Sequence, residues 1–336
     1  VKILHLLASP FFSGPAESLT QLALAQKELG HEVSVAVDRK RTHAAAEELA
    51  APRLEALGLL SAAGLELSVK SSPLAVAKDI RALKRLDVDV VHAHFSHDHL
   101  LARWGRPKGA RLIRSIHAPR SVRRFMPIAD GWTVPFEGLA RAFLGQRVMV
   151  LPPVVDRAFV PPPSRPALRR ELGLPDVPLV GMVSTFQASR RHELGVLAFE
   201  QLSKRAPEAQ LVLVGDGELL APVQALVKAR GLSARTHFVG YQRGGEFVRW
   251  LQALDEVWLL GLGNDFSARA AAQARACGVR VVGVDEGALA QFADVIVERS
   301  AEGVAAAALG RERRLVTLES PRAIATRVLQ LYGATP

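Results

Sequence analysis

A single cysteine, Cys277, is all the chain holds in 336 residues. An internal disulfide framework is thereby excluded, and a reducing compartment is expected. No apolar run reaches the roughly 18 to 20 residues of a membrane-crossing helix. The opening VKILHLLAS lacks the shape of a signal peptide and reads as a buried strand. No short internal repeat is present. No RNA-binding or helix-turn-helix signature accompanies the charge, so nucleic acid is not an expected partner. Acid is in deficit as well: 33 acidic against 43 basic residues give a formal charge of +10. That surplus favours anionic partners such as phosphates or acidic lipid. Together these absences lead to the expectation of a soluble cytoplasmic protein with a surface suited to the inner face of a membrane.

What is present is an alternation. The length suits two domains, and 49% of the residues are apolar, enough for two cores. Short apolar runs predict strands at VKILHLLA, HEVSVAV, LELSV, DVDVVHAH, RLIRSIH, GWTVP and RVMVLPP. Helical patterns lie between them, including ESLTQLALAQKELG, an Ala-rich stretch around 42–57 and one near 74–86. The Pro- and Arg-rich segment VVDRAFVPPPSRPALRRELGLP reads as a linker, after which the pattern restarts through PLVGMVSTF, AQLVLVGDGE, THFVGY, EVWLLG, VRVVGVD and DVIVE. Strands that are apolar throughout, separated by helices, imply parallel sheets covered on both faces. The expected architecture is α/β: two doubly wound halves, 1–157 and 158–318, with a last helix in 319–336. In such sheets ligands sit at the carboxyl ends of the strands, so a cleft between the halves is expected to be the active region.

The stretch VVHAHFSHDHLLA carries four of the ten histidines, His92, His94, His97 and His99. His92 and His94 are two apart in a strand and share one face. His97 and His99 are expected in the loop beyond it. Zinc needs three or four converging ligands. Neither a nearby cysteine nor an H-x-x-x-H helical pair accompanies these residues, so a polar cleft wall is expected and no metal.

Five further pieces occur in a fixed order: SGPAES (13–18), RSIHAP (114–119), VLPPVVDRAF (150–159), LVLVGDGELL followed by THFVGY, and DFSARAAAQARACGVRVVGVDEGAL (265–289). With DVVHAH and the final ATRVLQLYGA, this order resembles the family-4-type retaining glycosyltransferases of GT-B fold. The resemblance covers essentially the whole chain. It implies two Rossmann-like domains, an acceptor-side one that regains the last helix and a nucleotide-sugar-binding one.

The resemblance also implies roles. His117 falls where the family places a cleft histidine that orients the reacting sugar, and Asp265 where a glutamate touches donor hydroxyls; these two are the candidate catalytic residues. Donor-binding candidates are Gly14 in the first turn, Arg190 and Arg191 for the diphosphate, Gly240 and Tyr241 near the nucleobase, and Ser267, Arg269 and Gln273. Charge developing on the diphosphate leaving group needs fixed cations and N–H donors, and arginine's planar fork suits phosphate oxygens. Each candidate also has a plainer reading: a strand-to-helix turn at Gly14, a solvated arginine pair, a helix N-cap at Asp265, a buried polar residue at Gln273, a backbone-bound histidine at 117. The sequence departs from the family pattern at Thr185, Asp265, Gln273 and in Phe266-Ser267-Ala268, which replaces a G-F-G turn. Cys277 reads as packing.

Arg103 to Arg124 carries seven arginines, one lysine and no acid. His94, Arg114, Arg120, Arg123 and Arg124 are the candidates for an acceptor or membrane surface, alongside the alternative of a solubilising face. The resemblance implies a hexosyl transfer from a UDP- or GDP-type sugar to a cell-envelope glycan or glycolipid such as lipopolysaccharide, with no cofactor beyond the donor. The other reading is a GT-B-like nucleotide- or glycan-binding protein whose catalysis is impaired.

Overall fold

The computed structural model describes residues 1–39, 48–123, 126–263 and 266–334. It contains two compact units, 1–154 with 319–336, and 155–318.

The first unit is built on β1 (Lys2–Leu7), β2 (Glu32–Val37), β3 (Val90–Ala93), β4 (Arg111–Ser115), β5 (Gly131–Val134) and β6 (Val148–Val150). Their order is β2-β1-β3-β4-β5-β6, with every neighbouring pair parallel. The chain leaves β1 towards β2 on one side and resumes at β3 on the other, so the topological switch lies between β1 and β3. Alternation along each strand sorts the two faces. Ile3 and Leu7 of β1 pack with Leu19, Leu22 and Ala23 of the helix Gly14–Glu28 and with Ile324, Val328 and Leu329 of the helix Pro321–Tyr332. Leu4 and Leu6 pack on the opposite face with Val91, Leu101 and Leu112. Each fully buried leucine contributes about 1.5–3 kcal/mol relative to exposure. The last helix starts where the Ser320 hydroxyl accepts from the Ala323 N–H and stops at Gly333, whose φ of 71° is left-handed.

Two sequence expectations differ here, and a third is described only in part. LELSV (65–69) is not a strand. Leu67 has φ 51°, which breaks an extended run, and the N–H groups of Glu66 and Leu67 donate to the Asp79 carboxylate instead of a neighbouring strand. Of the helical stretch placed around 42–57, a helix covers Ala50–Ala56, while 40–47 lie outside the described residues. His97 and His99 sit on the helix Ser96–Gly105, not in a loop; Asp98 starts it by accepting the Phe95 N–H at 2.7 Å.

The second unit carries β7 (Leu179–Val183), β8 (Gln210–Val214), β9 (Thr236–Gly240), β10 (Glu256–Leu259), β11 (Arg280–Gly283) and β12 (Val295–Ile296). Their order is β12-β11-β10-β7-β8-β9, all parallel, so this switch lies between β7 and β10. The segment read as a linker belongs largely to this unit: Arg165–Glu171 is a helix, and Arg169 donates to the Ala253 carbonyl and pairs with Asp255 at 2.6 Å.

Candidate functional site

At the switch of the first unit, the carboxyl end of β3 delivers His94, whose N–H donates to the Leu6 carbonyl of β1. Gly14 opens the helix Gly14–Glu28, and the Ser13 side chain does not cap it. Its first N–H groups therefore have no partner within the helix or from that cap, and a helix N-terminus favours anions. His117 follows β4, its ring stacked on that of His94 with centroids 5.8 Å apart.

Behind these lies a buried polar chain that the sequence reading missed. His5 of β1 is fully buried, its Nε2 2.8 Å from Gln26 Oε1 and its Nδ1 3.1 Å from His94 Nε2. Gln26 Nε2 donates to the Tyr332 hydroxyl, which lies 2.6 Å from His92 Nδ1. His92 Nε2 meets Ser115 Oγ at 2.8 Å, and Ser115 meets Thr133 at 2.6 Å. Nitrogens of His5, His92 and His94 lie within 4.8 Å of one another, a spacing that metal ligands share. Sequence spacing hid this trio, because His5 joins the pair from another strand: β1 and β3 place it opposite His92. The available signal was local. His5 interrupts an apolar strand, and Gln26 stands on the buried stripe of its helix.

Burial sets the protonation of this cluster. Desolvation lowers His5 to about 4 and His117 to about 3, the latter helped by the nearby Arg114 charge, and holds His92 and His94 well below the ordinary histidine range. All four are neutral near pH 7. Such rings donate and accept hydrogen bonds but supply no cation.

Two surface candidates are in fact interior. His94 is 2% exposed and Arg114 3%. Arg114 points to the opposite face of β4 from Ser115 and faces the buried Asp98 carboxylate at 3.9 Å. Burial pushes Asp98 up to about 6 even though that guanidinium and the N–H groups of Ala8, His94 and Phe95 oppose it. The middle of a central strand in a sheet covered on both faces is shielded from solvent. The rest of the basic segment divides. Arg120 and Arg123 are exposed beyond β4, and Arg124 lies outside the described residues. Arg103, Arg106, Lys108 and Arg111 gather with Arg147 around an open hollow of about 710 Å³ at the amino ends of β4 to β6; Asp130 is the one acid among the described residues lining it.

In the second unit, a cavity of about 50 Å³ opens at the carboxyl ends of β7 and β10, lined by Ser184, Arg190, Gly261, Ala268 and Glu286 among others. This is the switch position of that sheet. Arg190 ends the turn Ala188–Arg190, and Arg191 follows with φ 60° and ψ 42°, capping the helix His192–Arg205. His192, which the sequence reading did not single out, is 2% exposed and stacks on Phe186 with ring centroids 4.0 Å apart. Burial lowers it to about 4, with the Arg190 charge adding to the effect. Ala268 is left-handed at φ 54° and caps the helix Arg269–Ala276, on which Gln273 is 2% exposed. Ser267 precedes that cap, Arg269 begins the helix, and Asp265 lies outside the described residues. Gly240 ends β9, two strands from the switch, and Tyr241 follows it, with Arg243 covering the Tyr241 ring at 4.9 Å. The structure thus gathers Arg190 and Ala268 at one cavity. Thr185 is exposed just past β7. Cys277 is fully buried, and burial raises its thiol to about 12, so it is packing and no nucleophile.

Two doubly wound parallel sheets, each with polar residues at its switch point, define the GT-B fold class. Residues 12–159 match the family described as Glycosyltransferase Family 4, and residues 164–301 match Glycosyl transferases group 1. The chain belongs to the family-4-type glycosyltransferases of GT-B fold. Over 96 residues it is 32% identical to an alpha-D-kanosaminyltransferase of Streptomyces kanamyceticus, and over 149 residues 28% identical to a D-inositol 3-phosphate glycosyltransferase of Segniliparus rotundus. Those stretches cover 29% and 43% of this chain, and only 25% and 33% of the relatives' own lengths. The crystal structure of Anabaena HepE in complex with UDP and glucose superposes with a TM-score of 0.72 at 18% identity, covering 99% of this chain and 97% of that one.

Proposed function

We propose that this chain transfers a hexosyl unit, with retention, from a nucleoside-diphosphate sugar to a hydroxyl of an envelope glycan or glycolipid. The observation that carries the reading is the cavity at the β7/β10 switch with Arg190 on its wall, in a chain whose family matches run through both units. Solved neighbours of the same fold hold UDP or UDP-glucose, which favours a UDP-type donor. In this reading Arg190 and Arg191 take the diphosphate charge. The neutral rings of His94 and His117 orient sugar at the other switch. The basic hollow at the far end of the first sheet supports an anionic surface, and anionic lipid gains about 1 kcal/mol per adjacent cation. Sedimentation with phosphatidylglycerol vesicles should succeed at low salt and fail at high salt; indifference to salt would remove the membrane contact.

Thermal stability against a panel of nucleoside diphosphates tests the donor reading. A ligand at 100 times its Kd stabilises the fold by about 2.7 kcal/mol, so UDP or GDP should raise the melting temperature clearly. A binding protein without turnover is favoured by the burial of Gln273 and the alanine at position 268. Nucleotide stabilisation without sugar release or transfer would select it.

A further inference from the structure

The buried chain around His5 has a direction, set by the Gln26 amide as the structure orients it, and that direction decides which His94 nitrogen carries the proton. Begin at Gln26. Its amide oxygen faces His5 Nε2, so His5 carries its proton there and Nδ1 is a bare acceptor. His94 Nε2 must then be the donor of the 3.1 Å bond, which leaves His94 Nδ1 without a proton. The other branch is consistent. The Gln26 amide nitrogen donates to the Tyr332 oxygen, Tyr332 donates to His92 Nδ1, and His92 Nε2–H donates to Ser115. Every group in the chain is used once in each role it has. Inverting the Gln26 amide would reverse the whole set together, so the three rings share one tautomer.

Five of the six nitrogens on His5, His92 and His94 are thus engaged. The sixth, His94 Nδ1, has no partner among the described residues, and neither does His117 Nε2 on the ring stacked against it. A divalent cation at this trio would have to break several of those bonds, in a site with no carboxylate or thiolate ligand among the described residues. A hydroxyl donor at His94 Nδ1 breaks none. An unpartnered acceptor in a residue 98% removed from solvent is costly unless something meets it, and this one stands at the β1/β3 switch, where sheets of this kind bind ligands.

We propose that His94 is a substrate-positioning residue. Its Nδ1, kept bare by the relay from Tyr332 through Gln26 and His5, accepts a hydrogen bond from a hydroxyl of the sugar held beside His117. This rests on the glycosyltransferase reading for the identity of the ligand, while the tautomer itself does not.

Histidine ¹⁵N NMR of the full chain near pH 7 reads the relay directly, without ligand. His5, His92 and His94 should each be neutral with the proton on Nε2. A proton on His94 Nδ1, or a charged ring, overturns the proposal. Tyr332→Phe removes the anchor of the amide orientation and should give a mixture of tautomers at His94; an unchanged single tautomer would show that the relay does not set it. Zinc titration should leave the three signals in place, and stoichiometric binding would reassign the trio to metal. For the ligand, UDP-glucose and GDP-mannose are compared with UDP and GDP. The nucleotide sugar should shift His94 Nδ1 where its nucleotide does not, and His94→Phe should weaken the sugar form about ten- to hundredfold with nucleotide affinity kept. His94→Asn, which retains an acceptor near that position, should recover most of the loss. If a nucleotide binds and His94 Nδ1 ignores the sugar, the contact is wrong. If no nucleotide binds, the donor reading and the sugar contact fall together, and the tautomer result stands apart from both.

Discussion

Arg191 is a long charged residue in a conformation that suits glycine, with φ 60° and ψ 42° at the mouth of the second unit's switch. An L-residue there costs about 1–2 kcal/mol. Its side chain is exposed. Strain of this kind persists where function uses the side chain. Arg191→Gly should therefore stabilise the fold by about 0.5–1 kcal/mol after the glycine entropy is discounted, while nucleoside-diphosphate affinity drops several-fold. Denaturant midpoints and the thermal panel measure the two halves separately. A variant that is both more stable and equally tight in binding would place the phosphate contact on Arg190 alone.

Among the elements, the turn after β8 shows what the motif VGDGE is for. Gly215 has φ 148°, and a Cβ there would stand 2.0 Å from the Ser184 carbonyl oxygen; at Gly217 the same atom would be 2.7 Å from the Phe186 oxygen. The turn lies against the loop after β7, with the Phe186 N–H donating to the Asp216 carbonyl. The motif thus shapes the rim of the switch through backbone contact. Gly215→Ala should cost about 3–5 kcal/mol from combined overpacking and strain. Gly231→Ala, left-handed at φ 68° but with nothing within 4 Å, should cost about 1 kcal/mol. Equal losses in urea melts would mean that the close approach is not what requires Gly215. Elements of this type were legible in the sequence because period and punctuation are local: the twelve strands and the last helix all stand within apolar runs that a single pass reveals. LELSV failed because a distant carboxylate, Asp79, takes the N–H groups that a strand neighbour would have used. The site was less legible. Arg190 could be placed from its position after β7, but the His5–Gln26–Tyr332 chain joins residues from β1 and from the first and last helices, and no spacing within one segment encodes it.

For the molecule as a whole, desolvated histidines make stability fall in acid. His5, His99 and His192 are lowered to about 4 and His117 to about 3, each chiefly by desolvation. A lowered histidine pKa means that the unfolded chain binds the proton first. The stability these rings contribute is therefore complete above the unfolded value of about 6.5 and is lost as pH falls through it towards the folded values. For His5 alone, going from pH 7 to pH 5 removes about 2 kcal/mol. Asp98 acts in the opposite sense, since burial raises it to about 6 and protonation relieves that burden. Burial raises Asp79 and Glu256 as well, but the lowered rings are more numerous, since His92 and His94 join the four. Repulsion within a chain of formal charge +10 grows with each histidine that charges. The melting temperature should accordingly fall steeply between pH 7 and pH 5 at constant ionic strength. His99 stands apart from the switch, edge-on to Trp132 at 5.5 Å, so His99→Phe keeps an aromatic there and removes the proton site. That variant should lose less on acidification than the parent. A melting temperature flat across this range would mean that the histidines are solvated, and the neutral cluster at the first switch could not persist.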